Sequence, residues 1–316
     1  MICLSAVPAG ETDREGLEMR RDRLTSDVFM PETRQLTPRS CCRFRWLLLA
    51  LVVAVGLPAS TAAQVTKGKA MPRPGGVMAE HERRIPIDTT AWPWTSIGRV
   101  NLVLGTFRSH CTGTLVGERH VLTAAHCLYD RRVGHWANPS QIHFVLGQAG
   151  DKFFAHSGVA STIIPPEYQT AYTIRFRTAT HQASDVPSDW AILALSEKLS
   201  ARPLGWRVAS DLARETTENE IVVAGYRGDR AYRISVESGC KLAAGPVPGT
   251  VSHGCSSIPG QSGGPILAVK AGKAEIIALN VGYTSEFVPG QGHVGTGAYG
   301  PLSSSFDAAL RKALSR

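Results

Sequence analysis

The sequence has no long lysine and arginine run, no basic motif interleaved with aromatics, and no apolar run long enough to span a bilayer. Its 316 residues carry a formal net charge of +8, but the basic residues are dispersed. A dispersed excess is typical of a solvated surface, so we expect no nucleic-acid partner. No internal repeat and no alternation of strand with helix is visible, which disfavours α/β folds and favours an all-β one.

The N-terminal 63 residues have the pattern of an export signal. A basic segment ending at Arg45 precedes the 12-residue apolar run Trp46–Leu57, and small residues follow at 58–63. This order predicts a secretory signal peptide over 1–63, cleaved after Ala62 or Ala63. Twelve residues would span only about 18 Å as a helix, against a hydrocarbon core of about 30 Å. We therefore expect the protein to be associated with a membrane only if the signal peptide is not cleaved.

The cysteines fit an exported protein, because disulfides persist in oxidising compartments. Three of the seven, Cys3, Cys41 and Cys42, lie before the apolar run and would leave with the signal. The remaining four allow three pairings, and we expect Cys111–Cys127 and Cys240–Cys255. Metal binding is the competing interpretation, disfavoured because no two of these four stand at C-x2-C spacing.

Residues 64–91 are rich in proline, glycine and charge and are predicted to be a linker or short pro-segment. We expect the folded domain to cover 92–316.

A serine stands among glycines in Pro259–Pro265, directly before the apolar run Ile266–Val269. A hydroxyl becomes a good nucleophile only when a base takes its proton and donors stabilise the oxyanion. Glycines around Ser262 would allow a tight turn that exposes its Oγ and aims backbone N–H groups into one space. Without a base elsewhere, a simple glycine-rich turn is an equally good interpretation.

A candidate base is His126, in Leu122–Cys127, after a predicted strand hairpin. Small residues around it would let the imidazole pack closely against neighbouring backbone. A Cys111–Cys127 disulfide would hold the loop that carries it, contributing about 3 kcal/mol by constraining the unfolded chain.

Leu122–Cys127 and Gly260–Pro265 resemble the histidine and serine motifs of chymotrypsin-type serine proteases, in that family's chain order. Through His253–Cys255 and Pro259–Ser262 the chain looks closer to bacterial secreted members, including glutamyl endopeptidases. The resemblance implies two six-stranded antiparallel β-barrels and a C-terminal α-helix. It also implies that His126 lies in the first barrel and Ser262 in the second.

The family's aspartate falls between these motifs, and Asp189 fits because it opens the apolar strand predicted in Ser188–Leu195. A buried carboxylate there would fix the histidine tautomer and stabilise the imidazolium. Asp185 is the competitor, but Pro187 separates it from the strand. The resemblance further implies that the backbone N–H groups of Gly260 and Ser262 form the oxyanion hole.

Short strands with turn signals account for most of the remaining chain. We predict strands at 97–104, 111–116, 119–123, 141–147, 161–164, 221–226 and 232–236. The polar stretch Glu167–Ser184 is predicted to be an exposed loop. Apolar residues at helical spacing predict a helix over Phe306–Leu314.

Two departures from the family pattern concern activation and specificity. Gln261 stands where activated pancreatic enzymes have an aspartate that pairs with a new N-terminus, so we expect no such switch. By the family's spacing, Ser256 is at the base of the primary specificity pocket, where a serine cannot neutralise a cation. Asn280 and Gly282 are assigned to its wall; Asn280 stands about where glutamyl endopeptidases usually place a histidine.

The sequence thus predicts a secreted or periplasmic serine endopeptidase with His126, Asp189 and Ser262 as its triad. We expect protein or peptide substrates, no metal or cofactor, and a monomer. One alternative is a catalytically silent relative that acts as a binding protein. Another is an α/β-hydrolase esterase, since Gly260–Gly264 also satisfies G-x-S-x-G.

Overall fold

The computed structural model describes residues 87–178, 183–288 and 292–315. The predicted signal peptide and most of the predicted linker lie outside these residues. In the part of the chain that is described, no helix has the length and apolar character needed to cross a membrane.

The described strands of the first half are β1 (Ile97–Leu104), β2 (Phe107–Gly117), β3 (His120–Thr123), β4 (Tyr129–Asp130), β5 (His135–Trp136), β6 (Ile142–Leu146), β7 (Ala155–Ile163) and β8 (Ala191–Leu195). They form a closed antiparallel barrel with the strand order β1-β2-β3-β8-β7-β6, and a two-stranded hairpin, β4-β5, lies outside it. In β6 the side chains alternate, with Ile142, Phe144 and Leu146 buried and the residues between them partly exposed. This period of two is what a strand with one face on the core requires.

The described strands of the second half are β9 (Gly205–Trp206), β10 (Glu220–Tyr226), β11 (Ile234–Ser238), β12 (Leu242–Ala244), β13 (Thr250–His253), β14 (Gly264–Lys270), β15 (Lys273–Asn280), β16 (Gly282–Val288) and β17 (Gly292–Pro301). They form a five-stranded sheet, β11-β10-β14-β15-β9, and a four-stranded sheet, β12-β13-β17-β16. The two sheets meet where Val281 N–H donates to the Tyr299 carbonyl and Ala278 bridges to Leu302.

Within the described ranges the α-helices are α1 (Pro166–Thr178), α2 (Leu212–Glu218) and α3 (Asp307–Leu314). Short 3-10 helices cover Trp94–Ser96, Ala125–Leu128, Pro139–Gln141, Ala183–Ser188, Gly228–Arg230 and Ser303–Ser305. In α3, Leu310 and Ala313 are buried next to Phe306, so the helix covers the core at one face.

The prediction of an exposed loop over Glu167–Ser184 was wrong, because α1 occupies most of that range. Pro166 is its first residue and Glu167 lies in its first turn, two features that favour a helix start. Tyr168 and Tyr172, four residues apart, face the same neighbour, Trp136, so tertiary packing stabilises a polar sequence as a helix.

The predicted all-β class and the C-terminal helix are confirmed. Strand β1 has the predicted bounds, and α3 begins one residue later than the predicted helix. The six-stranded first barrel is confirmed by its closed strand order. A second closed barrel stays a prediction, since the described strands of that half are two sheets.

Candidate functional site

His126 and Asp189 are brought together across 63 positions of sequence. His126 lies in the 3-10 helix that follows β3, and Asp189 lies just before β8, which pairs with β3. His126 Nδ1 is 2.7 Å from Asp189 Oδ2, and the His126 backbone N–H donates to Asp189 Oδ1 at 3.0 Å. The pairing of β3 with β8 thus fixes the distance between the two residues.

This pair of hydrogen bonds orients the imidazole. Since the carboxylate accepts from Nδ1–H, the neutral ring carries its proton there and leaves Nε2 free to accept one. The side chain of His126 is 16% exposed and that of Asp189 is 10% exposed. Asp185 also lines the cleft, but Ser184 donates to it, and the contact with His126 is made by Asp189.

Ser262 lies in the same cleft, a cavity of about 880 Å³ between the two halves of the fold. Its backbone is fixed from the first half, because Thr112 N–H donates to the Ser262 carbonyl at 2.8 Å. On the other side, Gly263 N–H donates to the Asn280 carbonyl at 2.7 Å. The serine is therefore held on a turn tied to both halves.

The backbone N–H groups of Gly260 and Ser262 have no protein acceptor within the described chain. Neighbouring groups are bonded: Gln261 N–H donates to Ile258 O, and Gly264 N–H donates to Gln261 O. Two free donors beside a hydroxyl are what an oxyanion hole requires.

Two glycines in this turn have conformations that other residues rarely adopt. Gly260 has φ of 97° and Gly263 has φ of 79°. A Cβ on Gly260 would stand 2.5 Å from the Tyr226 carbonyl oxygen and 2.6 Å from His110 Nε2. A Cβ on Gly263 would overlap Thr112 O and Thr123 Oγ1. Both positions need glycine for close backbone approach as well as for φ.

The three predicted specificity residues are placed differently. Gly282 lines the cleft. Asn280 is 1% exposed and lies beneath it, where its Nδ2 donates to Ser257 Oγ at 2.7 Å. Ser256 faces Arg227 and Glu237. Its Oγ is 3.4 Å from Arg227 Nη1, and the backbone N–H of Ser256 donates to Glu237 Oε2. The contribution of Ser256 and Asn280 to specificity stays a prediction.

Sequence reasoning missed an aromatic group in the cleft. Tyr129, Tyr168 and Tyr172 line it beside Val186, and Trp136 packs behind them. Burial raises the pKa of the Tyr172 hydroxyl, the Arg131 guanidinium opposes this, and the Asp189 charge adds to it. The sequence feature that could have indicated this group is the four-residue spacing of Tyr168 and Tyr172, which places both side chains on one face of a helix.

His253 is a buried histidine at the end of β13. It is 3% exposed, and burial lowers the pKa of its imidazole to about 4. The Asn280 side chain and the Cys255 backbone face the ring. Even so, neither ring nitrogen makes a hydrogen bond of normal geometry in the described part of the molecule. His253 is therefore neutral at neutral pH.

Both predicted disulfides are formed, Cys111–Cys127 and Cys240–Cys255. Their sulfurs are consumed, so the alternative of a metal site built from these four cysteines is wrong. The Cys111–Cys127 disulfide joins β2 to the 3-10 helix that carries His126.

A family model described as trypsin-like peptidase domain matches residues 111–278, just over half of the chain. Among curated relatives, the chain is 23% identical over 192 residues to glutamyl endopeptidase of Bacillus licheniformis. It is 25% identical over 227 residues to CLIP domain-containing serine protease B4 of Anopheles gambiae. These alignments cover 60% and 61% of this chain but only 54% and 60% of the relatives, so the chain spans little more than half their length.

Among solved structures, the chain is similar to a Glu endopeptidase in complex with MPD, with a TM-score of 0.56. That alignment covers 74% of this chain and 97% of the other, at 18% identity. At this identity the likeness establishes the fold alone.

Replacing Gly263 with alanine tests the close packing of the turn. We expect a loss of more than about 3 kcal/mol in the free energy of unfolding, because the Cβ has no room and φ is positive. Gly272→Ala is the matched control: its φ is 76°, but a Cβ there meets open space, so about 1 kcal/mol is expected. Urea unfolding measures both, and equal losses would contradict the account.

His253 predicts a loss of stability in acid. Its pKa is about 4 in the folded chain, against an ordinary value of 6.5. Between these values the unfolded chain binds a proton that the folded chain does not, so stability falls as the pH drops from about 6.5 to 4. The loss in the free energy of unfolding over this pH range is about 3 kcal/mol. In His253→Leu, the free energy of unfolding should depend less on pH between about 6.5 and 4. If the slope of this free energy against pH is the same as in wild type, His253 does not cause the loss of stability in acid.

Proposed function

Because the chain belongs to the trypsin-like peptidase family, we propose that it is an exported serine endopeptidase acting through His126, Asp189 and Ser262. The observation that carries the proposal is the Asp189–His126 pair, at 2.7 Å, lining the same cleft as Ser262. Proteins or peptides are the proposed substrates.

In the proposed mechanism His126 Nε2 takes the proton from Ser262 Oγ as Oγ bonds to the scissile carbonyl carbon. Asp189 stabilises the imidazolium that results. The carbonyl π-electrons move onto oxygen, and the backbone N–H groups of Gly260 and Ser262 stabilise the oxyanion. When the C–N bond breaks, His126 gives its proton to the departing amine and leaves an acyl-enzyme. A water, deprotonated by His126, then bonds to the acyl carbon. The bond between that carbon and Ser262 Oγ breaks, the acid leaves, and His126 returns its proton to Oγ.

Part of the described site is already arranged for this chemistry. The two N–H donors are already unpaired, and the carboxylate already accepts from Nδ1. Donors fixed before the reaction cost no reorganisation when charge develops, which is why such sites stabilise transition states strongly.

The two alternatives differ in support. A catalytically silent binding protein would be expected to lack a triad member, and all three residues line the cleft. An α/β-hydrolase esterase is disfavoured by the closed antiparallel barrel and by the family match.

The assignment is tested by Ser262→Ala and Asp189→Asn, assayed on casein and on a fluorogenic peptide library at neutral pH. We expect kcat to fall by about a millionfold for Ser262→Ala and by about 10,000-fold for Asp189→Asn, where the tautomer is lost. Ser161→Ala, at an exposed strand position, is the control and should keep full activity.

Undiminished hydrolysis by the folded Ser262→Ala protein would overturn the assignment. A fluorophosphonate that labels wild type but not Ser262→Ala would exclude the silent-relative alternative, and failure to label wild type would favour it.

Export is proposed from the sequence of 1–63 and is supported by the two disulfides, which form in oxidising compartments. Expressed in a bacterial host, the full chain should be found outside the cytoplasm with its N-terminus at or after residue 63. Residues 64–91 are proposed to be a linker or pro-segment. Any further proteolytic removal of residues from the N-terminus should therefore stop before residue 92. Mass spectrometry of the purified protein checks both points. A cytoplasmic product that begins at residue 1 would contradict them.

A further inference from the structure

One of the two proposed oxyanion donors, the N–H of Gly260, belongs to the peptide unit that joins Pro259 to Gly260. The carbonyl oxygen of this unit accepts from the Gly228 N–H at 2.7 Å. In a trans peptide unit the C=O and the N–H lie in one plane and point in opposite directions. The hydrogen bond from Gly228 therefore directs the Gly260 N–H away from Gly228, where it has no acceptor within the described chain.

This orientation depends on the bond from Gly228, because the peptide unit has a glycine on one side. Gly260 lacks a Cβ, so backbone rotation that turns the unit over meets little steric resistance from the residue itself. A unit turned over would present its carbonyl oxygen, and not its N–H, to a developing negative charge. Loss of one oxyanion donor lowers kcat by about 100- to 1,000-fold. The position of Gly228 is therefore important for the proposed site.

The residue before Gly228 is a buried arginine that joins two segments. The side chain of Arg227 is 3% exposed, and it donates from Nε and Nη2 to the two carboxylate oxygens of Asp229 at 3.0 and 2.9 Å. Two parallel bonds of this kind fix the orientation of a guanidinium as well as its position. The third nitrogen, Nη1, lies 3.4 Å from Ser256 Oγ. Arg227 thus connects the turn that contains Gly228 to the segment that leads to Pro259.

Glu237 of β11 contacts the same segment. It is 6% exposed, and its Oε2 accepts from the Ser256 N–H at 3.1 Å. β11 pairs with β10, and β10 ends at Tyr226, directly before Arg227. The β10–β11 pair therefore places two buried side chains of opposite charge against Ser256. A buried charge is costly unless polar groups satisfy it, and here Ser256 supplies contacts to both.

Gln261 holds the other end of this segment. The Ile258 N–H donates to Gln261 Oε1 at 3.1 Å, and the Gln261 N–H donates to the Ile258 carbonyl at 3.2 Å. Gln261 is 3% exposed, so both bonds are shielded from water. The segment 256–261 is thus held at Ser256 by charged side chains and at Ile258 by an amide, with the Pro259–Gly260 unit between them.

We propose that Arg227 and Glu237 are positioning residues of the oxyanion hole. Through Ser256 and Gly228 they hold the Pro259–Gly260 peptide unit in the orientation that directs the Gly260 N–H at the substrate oxygen. Their effect on catalysis is transmitted through these two residues. The inference rests on the proposed peptidase function and deepens it, because it names the side chains that fix the oxyanion donor before the substrate binds.

The test compares Arg227→Gln and Glu237→Ala with wild type on one fluorogenic peptide amide that wild type cleaves. We expect kcat to fall by about tenfold to a hundredfold in each variant. KM should change by less than about threefold, because the hole stabilises the transition state more than the bound substrate. The double variant should be at most about threefold slower than the slower single variant, since both side chains act on one peptide unit.

A peptide aldehyde of the same sequence reports on the oxyanion hole more directly. Ser262 Oγ bonds to the aldehyde carbon, its proton moves to His126, and the carbonyl π-electrons become negative charge on the aldehyde oxygen. Inhibition by the aldehyde should therefore weaken in Arg227→Gln and Glu237→Ala by about the same factor as kcat. A purely structural role would leave the ratio of these two affinities unchanged relative to KM.

Three further variants complete the design. Gly228→Pro removes the donor to Pro259 at the first position of a 3-10 helix, where proline is tolerated, and should lower kcat by about a hundredfold. Arg227→Lys keeps the charge but cannot contact Asp229 and Ser256 with the same fork, so kcat should also fall. It decides the role of Arg227 if Arg227→Gln does not fold. Arg230→Gln, at the exposed end of the same turn, is the matched control and should keep kcat.

Thermal unfolding followed by circular dichroism shows which variants are folded. A kcat within about twofold of wild type in folded Glu237→Ala and in a folded Arg227 variant would overturn this inference alone, as would a rise in KM at unchanged kcat. If wild type neither cleaves any library peptide nor reacts with a fluorophosphonate at Ser262, the proposed function is wrong, and this inference with it.

Discussion

The structure depends on one carboxylate accepting two hydrogen bonds from one residue. Asp189 accepts from the ring and from the backbone N–H of His126, at 2.7 and 3.0 Å. The ring bond alone would leave the imidazole able to pivot, and the backbone bond removes that freedom. The arrangement exists because β3 and β8 are neighbours in the barrel, so the residues just beyond their paired ends must meet. Hydrogen bonds to a partly buried carboxylate are also stronger than hydrogen bonds between neutral groups.

The turn that carries Ser262 is joined to this pair through two neighbouring residues of β2. Thr112 donates its backbone N–H to Ser262 O and its hydroxyl to Gly260 O, and the same hydroxyl accepts from Tyr226 N–H. Thr112 is fully buried, so these bonds are shielded from water. The residue before it is Cys111, whose disulfide reaches the helix of His126. One short stretch of β2 therefore connects the helix of His126 to the turn that carries Ser262.

Local sequence patterns predicted most of what depends on short-range chemistry. The strand β1 and the C-terminal helix were predicted from local apolar patterning, and the two disulfides were expected among the four cysteines of an exported chain. The catalytic roles of His126 and Ser262, drawn from two short motifs rich in alanine and glycine, stay a prediction. What the sequence did not predict arises from long-range packing. Helix α1 is polar, and its tyrosines acquire a partner only when the β4–β5 hairpin brings Trp136 against them. Likewise, Ser256 was assigned to the pocket by counting from Ser262, but the charged neighbours that it faces, Arg227 and Glu237, come from distant segments.

The central claim is that Ser262 becomes acylated because His126, oriented by Asp189, takes its proton. Rapid acid quenching of the protein with an activated ester substrate, followed by peptide mapping in a mass spectrometer, tests this most directly. The account predicts an acyl group on the peptide that contains Ser262, accumulating rapidly in wild type and far more slowly when Asp189 is replaced by asparagine. An acyl group on another residue, or equal rates of acylation in the two proteins, would contradict it.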